Sequence, residues 1–329
     1  MSASDAPIQG VFAAIPTPFD ERRGVDVKAL EYLADYLFER GIAGLALFTE
    51  ASEDALLAPE ERRLIIKTVA ARLKGRKKFL LFVSALSSLE AIELVKLAEP
   101  KGCAGVVLAP PRAPGIGYRE LYRHVDRVAK ATALPVLMMD RPENVLEALM
   151  PEELEAFVGH PGLKGVAAPS AGAAEIETWA KRLKGREPSI LSGCSVGLHA
   201  KLKLGATAAV CGLAVVASEA AGRLAKAVAQ GDKTKVEKIE AQLHPVLDVL
   251  GPPAIGEPKD GVQKLASRIA KRSLAGRTTP PSYPASLLKE TLRLQGLPIR
   301  ADVRPPLEAP RPEVIERLRV LLREAGVLE

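Results

Sequence analysis

Seven side chains of this 329-residue chain have types and positions suited to shared chemistry: Glu50, Glu53, Arg112, Asp140, Arg141, Ser170 and Cys194. Each stands shortly beyond a run of β-forming residues, so a fold that gathers the ends of those runs gathers all seven. Paired carboxylates could pass protons or hold a divalent cation, and the arginines could grip a carboxylate or phosphate through two parallel hydrogen bonds. Cys194 opens a helical window, where a helix N-terminus can lower a thiol pKa. The competing reading is plainer: acids and arginines neutralise one another as salt bridges, and Cys194 is a buried structural thiol. His124, His160, His199 and His244 show neither H-x-x-x-H nor H-E-x-x-H spacing, so no metal site is read from them. There is no G-x-G-x-x-G or P-loop run either, and no cofactor is expected.

The elements that would position these residues alternate between β-type runs and amphipathic windows, the pattern of parallel strands joined by helical crossovers. Strands are predicted at 11–15, 45–48, 79–83, 105–108, 135–139, 163–167, 190–192 and 208–211. Between them, helices are predicted near 59–73, 88–99, 117–131, from about 151, 173–184 and 195–204, with a closing helix at 218–229. In the first window Leu30, Leu33, Ala34, Leu37 and Phe38 recur at helical spacing before Gly41 stops the helix. Eight βα units in about 230 residues fit a closed (β/α)8 TIM barrel, an α/β fold, whose sites lie at the C-terminal ends of the strands. Residues 1–232 are therefore read as the barrel and 233–329 as a C-terminal helical appendage, with helices near 233–250, 260–275, 284–295 and 312–325. In 260–275, Lys264, Arg268, Lys271 and Arg272 lie largely off the apolar face, giving a basic amphipathic helix.

An apolar content of 47% with 26% charged residues is that of an ordinary globular chain. No stretch of 18 apolar residues and no apolar leader occurs, so neither a membrane span nor a signal peptide is expected. Cys103, Cys194 and Cys211, odd in number and set among apolar residues, predict no disulfide framework and a cytoplasmic location. The net charge of +6 is concentrated in residues 251–329, with 14 Lys and Arg against 9 Asp and Glu. Without interleaved aromatics or a recognition motif, that bias reads as solvated surface, and nucleic acid is not an expected partner.

The opening Gly10-Val-Phe-Ala-Ala-Ile-Pro-Thr-Pro-Phe19 resembles the G-x-x-x-A-x-x-T-P-F start of the dihydrodipicolinate synthase and N-acetylneuraminate lyase family. Ala91-Ile-Glu-Leu94, Leu134-Pro-Val136, Pro142, Leu191-Ser-Gly193 and Lys289 fall where that family has counterparts. The resemblance spans nearly the whole chain except about 252–282, which reads as an insertion. It implies the same barrel, a homo-oligomer (dimer or tetramer) and a lyase acting on carbon–carbon or carbon–oxygen bonds through a lysine that forms a Schiff base with pyruvate. The family's G-I-K-E-A-S run corresponds to Gly165-Val-Ala-Ala-Pro-Ser170, which puts Ala167 at the lysine position.

Further departures follow from the same resemblance. Met139 stands at the position of a proton-relaying tyrosine, and a second relay tyrosine is replaced within Ala109–Pro114. Thr49-Glu-Ala-Ser-Glu53 replaces G-T-T-G-E, with its final glutamate kept; the carboxylate-binding arginine falls near Asn144, and Cys194 replaces an acidic residue. Lys164 is three residues from position 167, so strand alternation turns it to the opposite face. The expectation is a divergent family member whose lyase activity is lost or altered and which acts on or binds a small carboxylated molecule without a Schiff base. The alternatives are a non-catalytic homologue serving as a ligand-binding or partner subunit, and a retained pyruvate-dependent lyase or synthase.

Overall fold

The computed structural model describes residues 6–73, 78–111, 113–140, 149–193, 197–250 and 284–328. Eight parallel strands close into a barrel: β1 Gly10–Ala14, β2 Gly44–Leu47, β3 Lys78–Val83, β4 Cys103–Leu108, β5 Val136–Met139, β6 Leu163–Ala168, β7 Ser189–Ser192 and β8 Ala208–Cys211. Closure requires the first and last strands to meet, and they do, from Gly10↔Ala208 to Ala13↔Cys211. The strands are short and apolar on both faces, because one face fills the barrel and the other meets the helices.

Helix α1 (Val27–Phe38) illustrates how sequence fixes a crossover. Asp26 caps it by accepting from Ala29 N at 3.0 Å. Leu30, Leu33 and Leu37 then bury one face, each contributing about 1.5–3 kcal/mol. The chain turns at Gly41, whose φ of +81° suits glycine. The other barrel helices lie at α2 Pro59–Leu73, α3 Ser88–Ala98, α4 Tyr118–Lys130, α5 Pro151–Val158, α6 Ala173–Arg182, α7 Leu198–Lys203, α8 Leu213–Val216 and α9 Ser218–Ala229. The expected barrel strands and helices reappear with boundaries within three residues of those predicted, as fraying ends allow.

Beyond the barrel come α10 (Lys233–Leu250), α11 (Ala285–Leu294) and α12 (Pro312–Glu324). The first packs on α9 and α12, while α11 packs on α8 and on the 3-10 turn Glu50–Ser52 that follows β2. Leu243, Leu288 and Leu318 share one continuous core with the barrel. The predicted helix 260–275 and its basic residues Lys264, Arg268, Lys271 and Arg272 lie outside the described residues. No described helix is long and apolar enough to cross a membrane. Cys103 is free and buried, but Cys211 is disulfide-bonded. That cross-link departs from the expectation of unpaired thiols, because sequence spacing alone does not reveal which cysteines the fold brings together.

Candidate active site

The mouth of the barrel is defined by the last inward-facing residue of each strand. Val166, Ala168 and Ile190 pack outward with Ile176, Trp179 and Leu183, so their neighbours Ala167 and Leu191 face inward. Residues in register on adjacent parallel strands share a face, and beyond the register shifts between Phe79 and Leu80 and between Val136 and Leu137 the pairings carry this assignment around the C-terminal half of the ring. The inward ring at the strand C-terminal ends is Ala14, Ala46, Phe82, Val107, Met139, Ala167, Leu191 and Val210. All eight are apolar and between 0 and 7% exposed. Met139 and Ala167 are direct partners in the β5–β6 ladder, and Asp140 N donates to Ala167 O at 2.8 Å just beyond them. Lys164, at the start of β6, is exposed.

Four of the seven candidates lie in described residues, and they do not converge. Glu53 is buried in the left-handed conformation (φ 57°) between two 3-10 turns. It is held from below: Lys289 Nζ on α11 donates to its Oε1 at 2.5 Å, and Arg304 N donates to its Oε2 at 2.8 Å. Both side chains of this pair are 0% exposed. Lys289 also donates to Asp302 O at 2.8 Å and lies 4.1 Å from the centre of the Phe19 ring, whose face favours a cation. Burial pushes its ammonium down to about 8, with Glu53 and Asp302 only partly offsetting the desolvation. Glu53 is a salt-bridge partner, but of Lys289 on α11 rather than of an arginine of the candidate set.

Asp140 turns outward. Its Oδ2 accepts from Trp179 Nε1 at 2.7 Å, and burial raises its pKa, an effect the indole hydrogen bond only partly opposes. Glu50 and Ser170 are exposed, on the turn after β2 and in the loop after β6. Arg112, Arg141 and Cys194 lie outside the described residues. No group of three or more His, Cys, Asp or Glu side chains among the described residues could hold a metal ion.

The polar network that does form around the first two strand ends was not legible from motif spacing. Arg304 lays its guanidinium 4.4 Å from the Phe19 ring, forms an ion pair with Glu61, and donates to Leu56 O at 2.9 Å and Arg23 O at 2.6 Å. That contact holds the Glu61 carboxyl below its ordinary range. Nearby, Ser52 Oγ donates to Ile15 O at 2.7 Å and Thr17 Oγ1 to Ser52 O at 2.7 Å. Thr49 Oγ1 and, at the end of β7, Ser192 Oγ are buried without a partner. Glu53 and Lys289 are 236 residues apart, and nothing local announces their meeting.

Comparison with known proteins places this geometry. The profile described as the dihydrodipicolinate synthetase family matches residues 7–253. An uncharacterised DapA-like lyase of Thermococcus kodakarensis is 27% identical over 324 residues, covering 96% of this chain and 99% of that protein. The 4-hydroxy-tetrahydrodipicolinate synthase of Mycolicibacterium paratuberculosis is 26% identical over 326 residues, 98% of each. Among solved structures, a catalytic-lysine mutant of Ruminococcus gnavus sialic acid aldolase shares the fold with a TM-score of 0.78 at 18% identity, covering 97% of this chain and 95% of that one. The eight-stranded barrel, its C-terminal helices and the profile agree: the chain belongs to the dihydrodipicolinate synthetase family.

Proposed function

We propose that this protein is a family barrel that no longer runs lyase chemistry through an imine, and that any small carboxylated ligand it takes is bound without a covalent bond. The observation that carries this reading is the Met139–Ala167 pair. The two residues occupy adjacent inward positions on β5 and β6, where the resemblance puts the proton-relaying tyrosine and the amine. A methyl group cannot form an imine and a thioether cannot relay a proton. The exposed Lys164 gives no substitute, since it sits at the N-terminal end of β6, away from the mouth. The aldolase mutant named above shows, for that protein, that such a barrel stands without its lysine.

The apolar ring favours the non-catalytic form of this reading over altered catalysis. Eight enclosed hydrocarbon or thioether side chains supply no general acid, base or nucleophile from the strands themselves. Of the remaining candidates, Ser170 could hold a carboxylate by hydrogen bonding and Arg112 and Arg141 by charge. Saturation-transfer NMR with pyruvate and a panel of small carboxylates tests this: the expected result is weak, fully reversible binding. A coupled assay detecting pyruvate release from N-acetylneuraminate at a rate above that of boiled protein would contradict it.

A further inference from the structure

The described residues hold a charged concavity at the end of the barrel opposite the mouth. It is a cavity of about 240 Å³ at the N-terminal ends of β6 and β7, walled by His160, Leu163, Lys164, Leu183, Arg186 and Pro188. Its polar side chains are all donors, and no acidic side chain lines it. Arg186 is fixed rather than floppy, because Nη1 donates to Val158 O at 2.7 Å and Nη2 to Gly159 O at 3.0 Å, the carbonyls that close α5. Lys164 is exposed and has no ion-pair partner among the described residues.

His160 forms a rigid part of the wall. Its ring is 2% exposed and pinned against Tyr122 at 4.4 Å between centroids. Nδ1 accepts from Gly162 N at 2.9 Å, and burial lowers the ring's pKa, so the neutral ring carries its proton on Nε2. That buried Nε2 has no hydrogen-bond partner; the nearest acid, Asp126, is 3.8 Å away, beyond hydrogen-bond reach.

We infer that this cavity binds a small oxyanion, of the size of inorganic phosphate or a short dicarboxylate. The volume exceeds that of one water several-fold, two cations flank it, and apolar walls limit the ligand to a few heavy atoms. The site is independent of the imine question, since it lies at the other end of the strands. Isothermal titration of the full chain with inorganic phosphate and, separately, succinate at constant ionic strength tests it and tells the two sources of oxyanion apart. The expected result is saturable one-to-one binding of at least one of them, weakened about tenfold by Lys164→Gln. Because Lys164 is exposed, this substitution leaves the fold in place. Lys181→Gln, which removes a neighbouring exposed cation on α6, is expected to leave the affinity unchanged. The inference is overturned by the absence of saturable heat with both anions, by Lys164→Gln binding as wild type does, or by equal weakening in the two variants.

Discussion

Lys289 carries a large electrostatic stake, because its ammonium and the Glu53 carboxylate are sealed from solvent together. Removing one partner strands the other charge, so Lys289→Met is expected to lower unfolding free energy by about 3–5 kcal/mol. Adding Glu53→Gln should recover part of that loss, since the amide oxygen can still accept from Arg304 N. Urea unfolding of the two variants and wild type gives the comparison. The same lysine predicts a pH dependence. Its pKa falls from an ordinary 10.5 to about 8 on folding, so between those values the unfolded chain binds more protons than the folded one. Stability therefore rises as pH goes from about 8 to 10.5 and, for this group, levels off below 8 where both states are protonated. Unfolding at pH 7 and 9.5 should show this gain in wild type relative to Lys289→Met, and an equal pH response in both would contradict it.

At the scale of elements, the β5–β6 pair bears both the functional reading and a structural tie. Asp140, immediately after β5, accepts from the indole of Trp179 on α6, the chain's sole tryptophan. Asp140→Ala should cost about 1–3 kcal/mol by leaving a largely buried N–H unpaired, whereas Asp140→Asn keeps an acceptor oxygen and should be far milder. Tryptophan fluorescence during urea unfolding reports directly on that site. One position inward, Ala167→Lys should trap pyruvate under borohydride yet show no turnover, because Met139 beside it relays no proton. Turnover in that single variant would show that the β5 position is dispensable. The alternation of strands was legible because each run is short, apolar and bounded by turn residues. What the side chains at strand ends do was less legible. Glu53 and Asp140 read as site residues from position alone, yet one faces Lys289 from a helix 236 residues away and the other faces α6. Alternation predicted Lys164 on the opposite face from position 167, and the structure places it exposed at the start of β6, where the register with β5 shifts.

For the whole molecule, closure of eight strands follows from local patterning, since each βα unit declares itself and the count leaves few topologies. The long-range network of Phe19, Glu53, Glu61, Lys289 and Arg304 joins loops that only the closed barrel brings together. Assembly follows from resemblance rather than from this chain's own contacts, and a dimer or tetramer is proposed; light scattering at micromolar concentration is expected to give a multiple of 35.0 kDa, and a monomer would refute it. The central claim concerns chemistry, that a barrel with Ala167 and Met139 at its mouth makes no imine with pyruvate. Incubating the protein with pyruvate and sodium borohydride, then recording its intact mass, tests that claim most directly. The predicted spectrum contains only unmodified protein, and a stable adduct mapped to any barrel lysine would contradict the account and restore the pyruvate lyase reading.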